Sequence, residues 1–127
     1  DQFVLNVDLP ATFLDLAGLP VPGRYQGKRL RPLVAGEATD WRSDGFLEHL
    51  PPLGERIPQW EGVRNARYKY ARYFEPGYEF LHDLKRDPDE LQNFSGDPKY
   101  EHVLEQLRQR TGVLRAQYEA AGDGWRP

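Results

Sequence analysis

The fold is decided by residues 60–74, which have the sequence WEGVRNARYKYARYF. Aromatic and β-branched residues are typical of strands, and this stretch holds two such runs, Trp60 to Asn65 and Arg67 to Phe74. A tight connection near Asn65 and Ala66 joins the two runs. The stretch therefore predicts a pair of antiparallel strands.

Further strand segments lie on both sides of this pair. Gly45 to His49 precedes it, separated from it by a loop that contains three prolines. Tyr78 to Leu84 follows it, after a turn at Pro76 and Gly77. Four consecutive strands joined by short connections predict a small antiparallel sheet.

The N-terminal region is predicted to be helical. Asp8 can cap a helix, and Pro10 suits its first turn because a missing N–H costs nothing there. The helix ends at Gly18. Its apolar stripe consists of Leu9, Phe13, Leu16 and Ala17. A second short helical turn is predicted from Leu30 to Ala35.

The C-terminal region returns to helix. Asp87 and Pro88 predict a brief helix that Asn93 and Gly96 close. A longer helix is predicted from Asp97 to about Ala121, ended by Gly122 and Gly124. Its inward face is Tyr100, Val103, Leu104, Leu107, Thr111, Leu114 and Tyr118. The predicted fold class is α+β, with the four-stranded antiparallel sheet packed against this long C-terminal helix.

Composition excludes several classes of function. The 127 residues include 17 Lys and Arg against 20 Asp and Glu, a net charge of −3 that argues against a main role in neutralising nucleic-acid phosphates. No cysteine is present, which removes disulfides and thiolate chemistry. No apolar run is long enough for a membrane span, and no signal peptide begins the chain. Since the chain also lacks Met, we expect it to begin inside a longer protein.

The three histidines do not predict a metal site. His49, His82 and His102 lie on separate predicted elements, and none stands at metal-ligand spacing from another ligand residue. Strand neighbours such as Glu48 and Asp83 point to the opposite side of the sheet. We therefore expect these histidines to be ordinary strand or surface residues with respect to metals.

Cations and tyrosines are interleaved in the third predicted strand and in the residues just before it. The set is Arg64, Arg67, Lys69 and Arg72, interleaved with Tyr68, Tyr70 and Tyr73. Such strands can stack bases and hold phosphates in a nucleic-acid binding module. They also occur in half-buried sheets whose cations are solvated. The net negative charge of the chain favours this structural interpretation. A third interpretation is that the cations line a pocket for an anionic ligand.

Four segments, taken in order, resemble motifs of sulfatases in the alkaline-phosphatase superfamily. They are VDLPATFLDLAG at 7–18, QGKRLRPLVAG at 26–36, GVRNARYKY at 62–70 and DLKRDPDELQNF at 83–94. Two departures are Pro10, one residue earlier than in the family, and Phe94 in place of leucine. Both keep the physical role of the residue they replace. The resemblance covers about nine tenths of the chain.

The resemblance implies a division of the chain and of its chemistry. Residues 1–40 would be a helical remnant of the larger α/β catalytic domain, and residues 41–127 the C-terminal subdomain that closes one side of the active-site cleft. The family's formylglycine arises from the first residue of Cys/Ser-x-Pro-x-Arg, yet no proline here has Cys or Ser two residues before it. The parent is thus implied to use a formylglycine and a Ca or Mg ion, with no cofactor in this fragment.

The resemblance also implies candidate residues and partners. His49 stands in the Glu-His position at the end of the first subdomain strand, and Arg64 and Lys69 are further candidates for binding an anionic sulfate-ester substrate. The expected partner is the catalytic domain of the same parent, and the apolar stripe predicts self-association of the isolated fragment. Neither nucleic acid nor a membrane is expected as a partner. Two alternatives stay open: the tail of a phosphonate monoester or phosphodiester hydrolase, and a free-standing basic-aromatic binding module.

Overall fold

A computed structural model describes residues 2–37, 40–51, 57–75 and 77–121. The chain divides into two compact units. The first contains residues 1–43 and 116–127, and the second contains residues 44–115. The division at residue 40, between the end of a catalytic domain and a C-terminal subdomain, stays a prediction.

The second unit contains the predicted sheet. Its strands are β1 (Asp44–His49), β2 (Trp60–Asn65), β3 (Tyr68–Tyr73) and β4 (Glu79–Asp83). They are antiparallel and lie in the order β1-β2-β3-β4. The side-chain oxygen of Asn65 accepts hydrogen bonds from the amides of Arg67 and Tyr68, at 2.9 and 2.7 Å, and so closes the turn between β2 and β3.

The two faces of the sheet differ in what covers them. Register and alternation place Val63, Tyr70 and Leu81 on one face, where they are almost fully buried. We call this the helix face, because α3 (Glu101–Ala121) pairs with its carboxylates. These ion pairs are Arg108 with Glu79, Arg110 with Asp44 and Arg115 with Glu61. The opposite side, which carries His49, Trp60, Tyr73, Phe80 and His82, is called the aromatic face.

The long helix completes the predicted α+β fold. A single 3₁₀ turn, Pro98–Tyr100, leads into it, and Asp97 caps this turn by accepting a hydrogen bond from the amide of Lys99. Leu104, Leu107, Thr111 and Leu114 are buried at helical spacing, as predicted. The predicted end at Gly122 lies outside the described residues. Among the helices that are described, none is both long and apolar enough to span a bilayer.

The first unit turns a polar side inward. In α1 (Asp8–Leu16), Asp8, Ala11 and Thr12 are buried. The Asp8 carboxylate accepts hydrogen bonds from two backbone amides, of Leu5 and Lys28, and from the guanidinium of Arg42. The short α2 (Arg31–Val34) lies in the same unit.

The predicted apolar stripe of α1 is exposed. The exposed fractions of Leu9, Phe13 and Leu16 are 42%, 64% and 66%. Because exposed side chains of this size forgo roughly 1.5–3 kcal/mol of burial energy each, the stripe is suited to a covering surface. Docking on a parent domain and self-association of the isolated chain both stay predictions.

Two local predictions were wrong. Asp8 is the first residue of α1 rather than its cap, since Val7 holds the cap position and Asp8 bonds elsewhere. Residues 87–93, all of which are described, contain no helix. There the carboxylate of Asp87 accepts a hydrogen bond from the amide of Gln92, and Glu90 adopts a left-handed φ of 57° that a helix does not allow.

Candidate functional site

A row of rings crosses all four strands on the aromatic face. Register places His49 opposite Trp60, and Trp60 opposite Tyr73, with ring centroids 6.4 Å apart in both pairs. Tyr73 meets Phe80 edge to face at 5.5 Å, and Phe80 stacks with His82 at 6.5 Å. These spacings are typical of interacting aromatic pairs, so the rings form a continuous row.

A cavity of about 220 Å³ lies on this face. Its lining includes Leu47, Trp60, Lys69, Tyr73, Phe80 and His82. The walls are mainly apolar, and Lys69 and His82 supply polar groups. A concave, aromatic-lined space with a few polar groups is the usual form of a small-molecule site. We call this space the aromatic groove.

The three residues predicted to bind substrate lie on this face, in two places. Arg64 and Lys69 are directly opposite each other across β2 and β3. His49 pairs with Trp60, four residues before Arg64 along β2, which corresponds to roughly 13 Å at the rise of a strand. The fold therefore brings the two cations together and leaves His49 at the other end of the aromatic face, beside Trp60.

The two cations differ in their contacts. The ammonium group of Lys69 is half-buried and lies 2.5 Å from the carboxylate of Glu90. Arg64 is exposed, and its guanidinium forms no hydrogen bond or ion pair within the part of the chain that the structure describes. Arg64 is therefore the cation that is free to meet an anion.

The two strand histidines of this face also differ. Nε2 of His49 is buried and has no hydrogen-bond partner among the described residues. Nδ1 of His82 lies 2.9 Å from the carbonyl oxygen of Gln92. A carbonyl only accepts, so Nδ1 of His82 is the donor, which leaves Nε2 as the acceptor of the neutral ring.

Arg67, just before β3, and Arg72 and Tyr70 on β3 contact carboxylates of the helix face. Arg67 hydrogen-bonds Asp83, which holds the pKa of that carboxyl below its usual range. Arg72 pairs with the buried carboxylate of Glu61. Burial, together with a hydrogen bond to Glu79, raises the pKa of Tyr70. Arg67 and Arg72 thus pair with carboxylates of the helix face, away from Arg64 and Lys69, so these four cations do not form one row for a phosphate backbone, which disfavours the nucleic-acid interpretation.

Sequence reasoning missed four residues of this site. They are Trp60, Tyr73, Phe80 and His82. The signal was present, because strand alternation puts every second residue on one face and pairing from His49 extends that face across the sheet. Using this signal requires the register of the strands, which cannot be read from the sequence.

The described residues do not form a metal centre. Within the ranges that the structure covers, no group of three or more His, Asp or Glu side chains is placed to hold a metal ion. The sequence also supplies no residue that could become a formylglycine in the family's motif. The described residues therefore do not fit the family's metal, the sequence lacks the family's nucleophile motif, and no chemical step is assigned to this chain.

Comparison with known proteins identifies the architecture. The family described as "N-sulphoglucosamine sulphohydrolase, C-terminal" matches residues 1–117. The chain is 36% identical over 112 residues to the Delta 4,5-hexuronate-2-O-sulfatase of Bacteroides thetaiotaomicron, which covers 81% of this chain and 22% of that protein. The chain thus spans about a fifth of the length of this curated relative.

Solved structures have the same fold. One is a protein in complex with its substrate D-glucosamine-2-N,6-O-disulfate, with a TM-score of 0.81, 29% identity, and coverage of 91% of this chain and 24% of that one. Another is the phosphonate monoester hydrolase of Agrobacterium radiobacter, with a TM-score of 0.79 and 27% identity, covering 93% and 26%. In each case this chain corresponds to about a quarter of the other protein.

Proposed function

This chain belongs to the N-sulphoglucosamine sulphohydrolase C-terminal family, and from this premise we propose that it forms one side of the substrate cleft of a sulfatase. The sulfuric ester hydrolase activity would belong to the whole protein. The matched relative is a sulfatase of which this chain covers 22%. The proposed formylglycine and Ca or Mg ion would lie in the part outside this chain.

We assign the contact with the sulfate group to Arg64 and Lys69. The observation that carries this assignment is the exposed guanidinium of Arg64, unpaired among the described residues and directly opposite Lys69. A guanidinium binds oxyanions through paired N–H donors. His49 would contact another part of the substrate, since its partner Trp60 lies roughly 13 Å from Arg64 along β2.

The substrate class is a sulfated sugar. The neighbour with a TM-score of 0.81 was solved with D-glucosamine-2-N,6-O-disulfate as its substrate. The aromatic groove beside Lys69 offers ring surfaces as well as charge, and a sulfated sugar has both an apolar C–H side and an anion.

A phosphonate monoester hydrolase is the second candidate for the parent. The observation that favours it is the fold shared with the enzyme of Agrobacterium radiobacter, at a TM-score of 0.79. Both candidates bind a tetrahedral anion, so the cations of this face suit either of them. The residues upstream of this chain that would hold the nucleophile distinguish the two.

The first experiment tests the assignment of Arg64. We expect Arg64→Ala to weaken the binding of inorganic sulfate to the 127-residue chain about fivefold, corresponding to roughly 1 kcal/mol for one charge-assisted contact. NMR titration at constant ionic strength measures it. Lys99→Ala is the matched control, because it removes one exposed cation outside this face. Equal weakening by both substitutions would show that only net charge matters.

The second experiment tests where the chemistry lies. The 127-residue chain is expected to show no turnover of p-nitrophenyl sulfate above background, with or without Ca²⁺ or Mg²⁺, because its sequence lacks the family's nucleophile motif and its described residues form no metal site. Absorbance of released nitrophenolate measures it. Turnover that copurifies with the chain and disappears on substitution of His49 would contradict the proposal.

A further inference from the structure

We infer that the aromatic groove binds the pyranose ring of the substrate, so that this chain recognises the sugar as well as its anion. The inference rests on the proposed function, which supplies a sulfated sugar. It adds a set of residues that act on the ring and not on the charge. These residues are Trp60, Tyr73, Phe80 and His82.

The spacing of the polar groups separates the two roles. A sulfate bound by Arg64 and Lys69 lies at one end of the sheet face, and His49 lies roughly 13 Å along it. The groove occupies the space between, because its lining includes both Lys69 and Trp60. A ligand that is anchored by its anion at Lys69 would therefore place its uncharged body over the rings.

The chemistry of the lining suits a sugar ring. The face of an aromatic ring carries negative charge density, and the axial C–H groups of a pyranose carry partial positive charge. Trp60 and Tyr73 lie 6.4 Å apart with their rings tilted by 39°, and Tyr73 meets Phe80 edge to face at 5.5 Å, so both ring faces and ring edges border the groove. These rings would give a sugar an apolar floor.

The rim of the groove supplies hydrogen bonds. His82 donates from Nδ1 to the carbonyl of Gln92, which leaves Nε2 to accept a hydrogen bond from a hydroxyl group. Lys69, held by Glu90, adds a donor at the same end. An apolar surface with a few polar groups at its edge is the pattern that orients a ligand of mixed polarity.

Two sugars distinguish ring binding from charge binding. The 127-residue chain is titrated with N-acetyl-D-glucosamine and with its 6-sulfate, and the indole N–H of Trp60 and the amides of Ala71 and Phe80 are followed by NMR. We expect both sugars to shift these signals, with the sulfated sugar binding at least threefold more tightly. Arg64→Ala should weaken only the sulfated sugar.

A second experiment removes one aromatic ring from the groove. Phe80→Leu keeps an apolar side chain but removes a ring of the groove, and it should weaken both sugars at least threefold. Tyr78→Leu is the matched control, because Tyr78 is 63% exposed and does not line the groove. Tyr73→Leu gives an independent variant if Phe80→Leu loses the native amide spectrum.

The outcomes separate this inference from the proposed function. If inorganic sulfate shifts Arg64 while neither sugar shifts Trp60 or Phe80, the ring inference is wrong and the proposed function stands. A groove that instead packs against another protein surface gives this same result. If both sugars bind equally and Arg64→Ala has no effect, the sulfate assignment fails and the ring inference stands.

Discussion

Replacing Asp8 with asparagine is expected to unfold the first unit of the protein. The side chains of Asp8 and Arg42 are 0% and 9% exposed, and they form a bidentate pair that includes a bond of 2.7 Å between Nη2 and Oδ1. Removing one partner of a buried pair leaves an uncompensated charge and costs about 3–5 kcal/mol. The same carboxylate also holds the amides of Leu5 and Lys28. Hydrogen exchange of the α1 amides measures the loss.

The control substitution is in the same helix, about two turns after Asp8. Asp15→Asn removes an acid of the same helix whose partners, Arg29 and Arg31, are 56% and 68% exposed. These guanidinium groups can return to water, so the expected cost is about 1 kcal/mol or less. Equal loss of α1 protection in the two variants would contradict the role given to Asp8.

Acid should act through the same carboxylate. Burial raises the pKa of Asp8, but hydrogen bonds from Arg42 and from the amides of Leu5 and Lys28 outweigh it, so the pKa lies below its ordinary value of 3.8. A carboxyl with a lowered folded pKa stabilises the folded state above its unfolded pKa, and this contribution is lost as pH falls through the folded pKa. Protection of α1 should therefore decrease below about pH 4, which hydrogen exchange at a series of pH values measures.

The role of Asp8 marks the limit of local sequence reasoning. An acid before Pro10 is a sound signal for a helix cap, and the helix does begin there. The partner of Asp8 is Arg42, which lies 34 residues later, and no local pattern connects the two. Long-range pairs of this kind require the fold, and so the sequence located the helix without explaining what anchors it.

The strands were predictable because their signals are local. Trp60–Asn65 has the bounds that were predicted, since aromatic and valine positions and the Asn65 turn mark them. The failed helix after Asp87 shows the opposite case. Its aspartate and proline also suit a turn, and the left-handed Glu90 that ends the helical option has no sequence signal.

The candidate site was predicted in part. His49, Arg64 and Lys69 were chosen from a resemblance and from charge, and all three lie on the aromatic face. Their roles stay predictions. The ring row was missed because aromatic residues in a strand serve the core as often as a surface, and only the register assigns Trp60 and Tyr70 to opposite faces.

The sheet itself should fail when Gly62 is given a side chain. A Cβ at this position would lie 2.0 Å from the carbonyl oxygen of Tyr70 and 3.0 Å from the Cα of Ala71, both on the neighbouring strand. These are backbone atoms, which cannot rotate away as the end of a side chain can. Gly62→Ala must therefore separate β2 from β3, where Val63 and Tyr70 form the core, at an expected cost of about 3 kcal/mol or more.

The same substitution in α3 is the matched control, and its expected effect has the opposite sign. A Cβ on Gly112 meets no atom within 4 Å, and alanine is favoured over glycine inside a helix by about 1 kcal/mol. Thermal unfolding followed by near-UV circular dichroism compares the two variants, because Trp60 and the tyrosines of β3 contribute to that signal. Gly112→Ala should raise the midpoint, and Gly62→Ala should lower it or abolish the transition. A Gly62→Ala chain as stable as the unsubstituted chain would show that β2 and β3 lie farther apart than the 2.0 Å distance from a Cβ of residue 62 to the Tyr70 carbonyl implies. The register on which the aromatic face depends would then have to be revised.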